Sequence, residues 1–82
     1  MRIYPISVKP LANYMLQLEF SNGEVRCFDV KPYLEMPFFA PLKDEEAFRQ
    51  VSVNGITVEW RNGRDIAPHE LYDDSLPVSS IA

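Results

Sequence analysis

The chain has 82 residues, of which 46% are hydrophobic and 24% charged, so it is long enough for one small domain and too apolar for a disordered linker. Its 12 acidic residues outnumber its 8 basic residues and give a formal net charge of −4. Because the basic residues are scattered along a chain that repels phosphates, we expect no direct binding to nucleic acid.

The first predicted element is a strand over residues 3–8. Pro5 assigns this strand to the edge of a sheet, because proline has no N–H to donate to a strand ladder. The polar residues and the second proline at 9–13 predict a loop that leads into the next strand.

A β-hairpin is predicted around Asn22-Gly23, the dipeptide preferred in two-residue type I′ turns. In that register Leu18 lies opposite Cys27, and the apolar residues of both strands share the core face. The same register places Phe28 and Val30 on the opposite face of the sheet.

Helical segments follow this hairpin and are kept short by Pro32, Pro37 and Pro41. A single turn is predicted at residues 32–35. A longer helix is predicted at about 44–50, where Asp44 is a good N-cap and acidic residues occupy the first turn.

The second hairpin is predicted at Asn54-Gly55, where a two-residue turn pairs Val53 with Ile56 and Val51 with Val58. The apolar residues again lie on one face, which supports the assignment of two strands.

The third Asn-Gly pair, Asn62-Gly63, would place Arg61 opposite Arg64 in a tight hairpin, and like charges in that position are unfavourable. We therefore expect a turn that leads into a short strand or bridge at Asp65-Ile66. A last short helix is predicted at about 68–72, because proline is favoured at the first helical position.

Together these elements predict an α+β fold with one antiparallel sheet of about five to six strands built from hairpins. Residues 1–74 are expected to form a single domain, and residues 75–82 a flexible carboxyl-terminal tail.

The single cysteine, Cys27, excludes an intramolecular disulfide and any cysteine-rich metal site, and it is typical of a small buried side chain in a reducing compartment. The amino-terminal residues lack the apolar region of a signal peptide, and no apolar run is long enough to cross a membrane. We therefore expect a cytoplasmic protein that does not contact membranes.

The order of these motifs resembles the bacterial domain of unknown function 2442 family. The resemblance extends over nearly the whole chain and is carried by Leu16–Glu24, Phe28–Val30, Leu42–Asp44, Phe48, Val58–Pro68 and Leu71–Tyr72. It implies the same small α+β fold and no known catalytic residue. Some relatives carry a helix-turn-helix domain after this module, and since the sequence ends at Ala82 we expect none here. Members also resemble the short partner of a neighbouring gene, as in toxin–antitoxin pairs.

Four residues could contribute to a pocket. His69, the only histidine, lies near carboxylates and could bind a metal or act as a general base, but one histidine without a spaced second ligand favours an exposed residue. Asp29 is either a perturbed acid in a pocket or an acceptor for N–H groups of the following helical turn, and we favour the second. Trp60 and Asp65 could recognise a ligand together, or be core residues beside a turn.

An apolar loop at residues 36–41 is the other candidate site. A loop with so many large side chains either closes the edge of the core or binds a partner, and the sequence favours neither. The candidate interaction surface comprises Phe28, Met36, Phe38 and Phe39.

The sequence therefore predicts a non-catalytic protein–protein interaction module without a metal or cofactor. It would act as a dimer or with a protein partner, and the family resemblance implies that it is the partner or antitoxin-like member of a two-gene pair. The alternative is an enzyme-like domain that binds a small molecule or metal through Asp29, Asp65 and His69.

Overall fold

The computed structural model describes residues 3–61, 63–66 and 68–77 of the chain. Strands and short helices follow one another in the order β1 (Pro5–Leu11), β2 (Met15–Phe20), β3 (Val25–Asp29), α1 (Glu45–Arg49), β4 (Val51–Asn54), β5 (Thr57–Trp60), α2 (Pro68–Asp73) and β6 (Leu76–Pro77). Short 3₁₀ segments cover Lys31–Glu35 and Ala40–Lys43, and the tight turn at Ala12–Tyr14 has positive φ at Asn13 and Tyr14. None of the described helices is long and apolar enough to span a membrane.

The turn between β2 and β3 contains three residues rather than the two predicted. Gly23 donates its N–H to the carbonyl oxygen of Phe20 over 2.9 Å, and Phe20 donates its own N–H to the carbonyl oxygen of Glu24 over 2.8 Å. Gly23 has a φ of 88°, and Asn22 has no positive φ. This is the pattern of a type I turn closed by a left-handed glycine, with one extra residue in the loop.

The extra residue shifts the predicted register of the hairpin by one position. Leu18 lies opposite Arg26 and Leu16 opposite Phe28, so the prediction that Leu18 pairs with Cys27 is wrong. A shift of one residue exchanges the two faces of a strand. Phe28 is therefore in the core at 1% exposure, together with Val30, whereas Val25 is 41% exposed. Cys27 faces away from the core but is nevertheless buried, as expected for a small apolar side chain.

The strands form two sheets, so the prediction of one sheet with five to six strands is wrong. The first sheet has the order β1-β2-β3-β6, in which β6 contributes only two residues, and β4 and β5 form a separate pair. The prediction that the first strand lies at an edge is confirmed, although β1 extends to Leu11. Pro5 and Pro10 both lie in β1 and lack an N–H, so this edge cannot continue as a regular ladder.

The hairpin of β4 and β5 closes over Gly55 and Ile56, with Asn54 paired to Thr57. Gly55, at the first loop position, has a φ of 63°, as a type II′ turn requires. The predicted register is wrong by two residues, since Val53 lies opposite Val58 rather than Ile56. A shift of two residues preserves the faces, and the predicted apolar face is the buried one.

At the third Asn-Gly pair, Gly63 makes the same backbone hydrogen bonds as Gly23 does in the first turn. Gly63 donates its N–H to the carbonyl oxygen of Trp60 over 2.8 Å, and Trp60 donates its N–H to the carbonyl oxygen of Arg64 over 2.7 Å. Gly63 has a φ of 89°. Asn62 lies outside the described residues. Because this loop also has an extra residue, Arg61 is not placed opposite Arg64. The expected bridge at Asp65 is confirmed, with Glu59 as its partner.

The two predicted helices are confirmed. Asp44 caps α1 by accepting the N–H of Glu46 on Oδ1 over 3.2 Å, and Phe48 of this helix is buried. The indole N–H of Trp60 donates to the carbonyl oxygen of Phe48 over 2.8 Å, which joins α1 to β5. The core lies between the inner face of the first sheet and the later elements, which contribute Leu34, Leu42, Phe48, Trp60, Ile66 and Leu71.

The carboxyl-terminal segment is tied to the first sheet by polar contacts. Arg26 lies on the inner face and donates from Nε to the hydroxyl of Ser75 over 2.6 Å and from Nη2 to its carbonyl oxygen over 2.7 Å. The same guanidinium lies 4.8 Å from the ring centre of Tyr72 in α2. Residues 75–77 fall within the segment predicted as a tail, but Ser75 is buried and β6 pairs with β3; residues 78–82 lie outside the described part of the chain.

The first turn makes a testable prediction about two neighbouring residues. Gly23→Ala should lower the free energy of unfolding by about 1–2 kcal/mol, because alanine is strained at positive φ although no atom lies within 4 Å of the added methyl group. Asn22→Ala should cost less than about 1 kcal/mol, because it removes only exposed hydrogen bonds. Urea denaturation measures both values, and equal costs would instead indicate a two-residue type I′ turn.

A second prediction concerns alkaline pH. Burial and the hydrogen bond that Tyr33 donates to Glu70 hold the pKa of Tyr33 well above its ordinary value of 10.0. The raised pKa contributes to the free energy of unfolding, and this contribution is fully present below about pH 10. It is lost as the pH rises further, because the Tyr33 hydroxyl ionises at a lower pH in the unfolded chain than in the folded one.

Tyr33→Phe keeps the ring that packs against Phe28 and Phe39 but removes the hydroxyl. Its free energy of unfolding should be about 1 kcal/mol lower at neutral pH and should fall less steeply above about pH 10. Tyr4→Phe removes an exposed hydroxyl without a hydrogen bond to a described residue and is the control. If the free energy of unfolding fell equally steeply with pH in wild type and Tyr33→Phe, this interpretation would be contradicted.

Candidate functional site

An exposed apolar patch, formed by Met36 and Phe38, lies in the loop between two 3₁₀ turns. Met36 is 50% and Phe38 is 53% exposed, although Leu34 and Leu42 on either side of the loop are buried. The predicted interaction surface also contained Phe28 and Phe39, and both are core residues. Phe28 faces inward because of the hairpin register, and Phe39 is 7% exposed.

Phe38 is exposed but held in one place. Its ring meets that of Phe39 edge to face, with the centres 4.9 Å apart, and the guanidinium of Arg64 lies 5.1 Å from its ring centre. Arg64 also donates from Nε to the carbonyl oxygen of Phe38 over 2.7 Å. A side chain that is already ordered loses less entropy when a partner covers it.

An open groove of about 370 Å³ lies over the outer face of the β4–β5 hairpin. Its lining includes Ser52 and Glu59 of the two strands, Arg49 at the end of α1 and Arg61 directly after β5. The N–H of Arg61 donates to the carbonyl oxygen of Gln50 over 2.9 Å, which brings these two distant segments together. The sequence does not indicate this groove, because twelve positions separate the two arginines and no local pattern relates them.

The groove carries positive charge in a protein whose net charge is −4. Arg49 and Arg61 are exposed, and neither forms an ion pair with a residue in the described part of the chain. The carboxylate of Glu59 accepts a hydrogen bond from Asn54 over 2.9 Å. The groove therefore offers two available guanidinium groups beside one carboxylate that already has a donor.

The groove and the patch are connected through two consecutive residues, Gly63 and Arg64. Gly63 lines the groove, and the next residue, Arg64, reaches across to Phe38. We call this combined surface the Phe38–arginine surface, and it consists of Met36, Phe38, Arg49, Arg61 and Arg64.

Of the four residues of the predicted pocket, Trp60 and Asp65 both lie at β5, whereas Asp29 and His69 belong to other elements. Asp29, at the end of β3 in the first sheet, accepts the N–H of Lys31 over 2.9 Å and pairs with its ammonium group at 3.0 Å. Asp65 lies beside β5 in the second sheet, and Trp60 is buried with its indole N–H bonded to Phe48. His69 belongs to α2, and its side chain lies outside the described residues.

The described side chains include no group of three or more histidines, cysteines or carboxylates that could hold a metal ion. The chemistry of the Phe38–arginine surface is that of binding, since it combines apolar area with guanidinium donors.

The sequence model of the family described as "Protein of unknown function (DUF2442)" matches residues 5–76. The chain belongs to this family. A crystal structure from Nitrosomonas europaea, described as that of a candidate DNA-binding protein, is similar to the DUF2442 chain with a TM-score of 0.62 and 27% sequence identity. The similarity covers 99% of this chain but 47% of that protein, so the DUF2442 chain spans about half of its length. No curated protein sequence matches the chain.

The different environments of two adjacent phenylalanines lead to a stability prediction. Phe39→Ala should lower the free energy of unfolding of the DUF2442 chain by about 3–5 kcal/mol, because it leaves a cavity beside Tyr33 and Trp60. Phe38→Ala should cost no more than about 1 kcal/mol, since it removes the Arg64 contact and little buried area. Thermal and urea denaturation compare the two, and similar costs would show that Phe38 supports the core.

Proposed function

We propose that this protein is a non-catalytic module that binds another protein chain through the patch of Met36 and Phe38. The observation that carries the proposal is that Phe38 is half exposed and yet fixed by Phe39 and Arg64. Ordered, exposed aromatic side chains are typical anchors of protein interfaces.

The neighbouring side chains favour a partner surface over the other interpretation of this loop. The edge of the core is closed by Phe39, whose ring packs against Tyr33 and Trp60. Phe38 and Met36 contribute little to that closure, because about half of each side chain is exposed. An apolar surface that the core does not require is available for binding.

The proposed occupant is a different protein, encoded next to this one, as in a toxin–antitoxin pair. The resemblance of family members to the short partner of a neighbouring gene supports this choice.

Nucleic-acid binding is a second candidate function, supported by the description of the Nitrosomonas europaea protein and by the arginines of the groove. The net charge of −4 opposes it, and the similarity leaves about half of that protein unmatched. The enzyme-like alternative has less support, because Asp29 lies in the first sheet, Asp65 bridges to Glu59 of the second, and Asp29 is bonded to Lys31.

Site-specific photocrosslinking in the native host tests the proposed function. Phe38 is replaced by the photoreactive amino acid p-benzoylphenylalanine, and Ile56, an exposed residue in the turn of the second hairpin, is replaced in the same way as a control. Position 38 should yield one dominant adduct with a protein encoded nearby, and position 56 should not. Mass spectrometry identifies the adduct.

The same experiment can contradict the proposal. Identical adduct patterns at the two positions would show that the patch has no specific partner, and an adduct between two copies of this chain would show self-association instead. For a partner identified in this way, Phe38→Ser should weaken binding by about tenfold or more, as measured by calorimetry.

A further inference from the structure

From the Phe38–arginine surface we infer that the partner is bound through a short segment that combines an apolar side chain with carboxylates. The apolar side chain contacts Phe38 and Met36, and the carboxylates pair with Arg49 and Arg61. This inference rests on the proposed function and adds the chemistry of the partner's binding segment.

The two arginines of the groove are the first basis for the inference. They are exposed, they line the same groove, and neither forms an ion pair with a described carboxylate. The bond from Arg61 N–H to the carbonyl oxygen of Gln50 fixes the relation between their two backbone segments. Guanidinium groups bind carboxylates in a planar, two-point geometry, so a partner with acidic side chains gains strong and directional hydrogen bonds here.

The connection to Phe38 is the second basis. Arg64 bonds to the carbonyl oxygen of Phe38 and follows Gly63 at the border of the groove, so an extended segment can contact the patch and the groove at once. Aromatic and arginine side chains placed next to each other are also the residues that contribute most to the affinity of interfaces.

A carboxylate in the groove distinguishes an acidic peptide from a nucleic acid. Glu59 lines the same groove as the two arginines, together with the polar residues Ser52 and Gln50. A peptide can place a backbone N–H or an uncharged side chain near Glu59, whereas a nucleic-acid strand carries a negative charge at every nucleotide. The net charge of −4 adds to this repulsion.

Selection from a peptide library tests the inference even before a partner protein is identified. A phage-displayed library of random peptides of about 12 residues is selected on the purified full chain, a length that suits an extended segment. Selected peptides should be enriched in Asp and Glu beside a large apolar residue. Their binding should weaken by about tenfold in Arg49→Gln/Arg61→Gln and in Phe38→Ser.

Two controls separate specific recognition from general charge effects. Lys9→Gln/Lys43→Gln removes the same charge from residues that do not line the groove, and it should leave binding within about twofold. Circular dichroism and urea denaturation confirm that each variant is folded. Raising the salt concentration from about 0.05 M to about 0.5 M should weaken peptide binding, because salt screens the contacts with the arginines. The apolar contact with Phe38 should leave a residual affinity.

Four outcomes would overturn the inference. Enriched peptides without an excess of acidic residues would show that the arginines do not select the ligand. Peptides that bind Arg49→Gln/Arg61→Gln as tightly as wild type would show the same. Arginine-dependent binding of a single-stranded oligonucleotide of about 20 nucleotides, with no enriched peptide, would assign the groove to nucleic acid. An adduct at position 38 whose partner binds Arg49→Gln/Arg61→Gln as tightly as wild type would leave the proposed function intact and refute only the acidic segment.

Discussion

The fold depends on the extra residue in the turn between β2 and β3. Gly23 can take the left-handed conformation that closes this turn without a steric cost, and the resulting register determines the inner face of the first sheet. It turns Phe28 into the core and also turns Arg26 inward. A charged side chain at that position would be costly without partners, and Ser75 and Tyr72 provide them. The register thus also explains how α2 and β6 are held against the sheet.

The elements whose cause is local can be predicted from the sequence, and those whose cause is distant cannot. The local features that mark a helix or a turn of the structure are the N-cap at Asp44, the prolines at 32, 37 and 41, and the glycines of the three Asn-Gly pairs. The register is not local, because Asn-Gly is compatible with two turn types and β3 carries apolar residues on both faces. The predicted register turns Arg26 outward, and its actual partner Ser75 lies 49 residues further along the chain.

One part of the candidate site can be predicted from the sequence and the other part cannot. The apolar loop is recognisable from its composition, but composition does not show which of two adjacent phenylalanines turns inward. That direction is set by Tyr33 on one side of the Phe39 ring and by Trp60 from the second hairpin. The groove is not recognisable, because Arg49 and Arg61 are related only through the hydrogen bond between the end of α1 and the end of β5. A surface assembled from separate elements leaves no periodic pattern in a sequence.

The groove carries two arginines in a protein whose net charge is negative, and this contrast in charge favours short acidic ligands over long polyanions. With both arginines in the groove, the remaining surface is more acidic than the net charge of −4 indicates. Charges act over roughly 8–10 Å at physiological salt, so an extended polyanion that leaves the groove meets a repulsive surface. A segment with only a few carboxylates can lie within the groove and gain both guanidinium contacts while its apolar side chain covers Phe38. The same acidic surface attracts a partner whose remaining surface is basic, which would raise the association rate without any further contact.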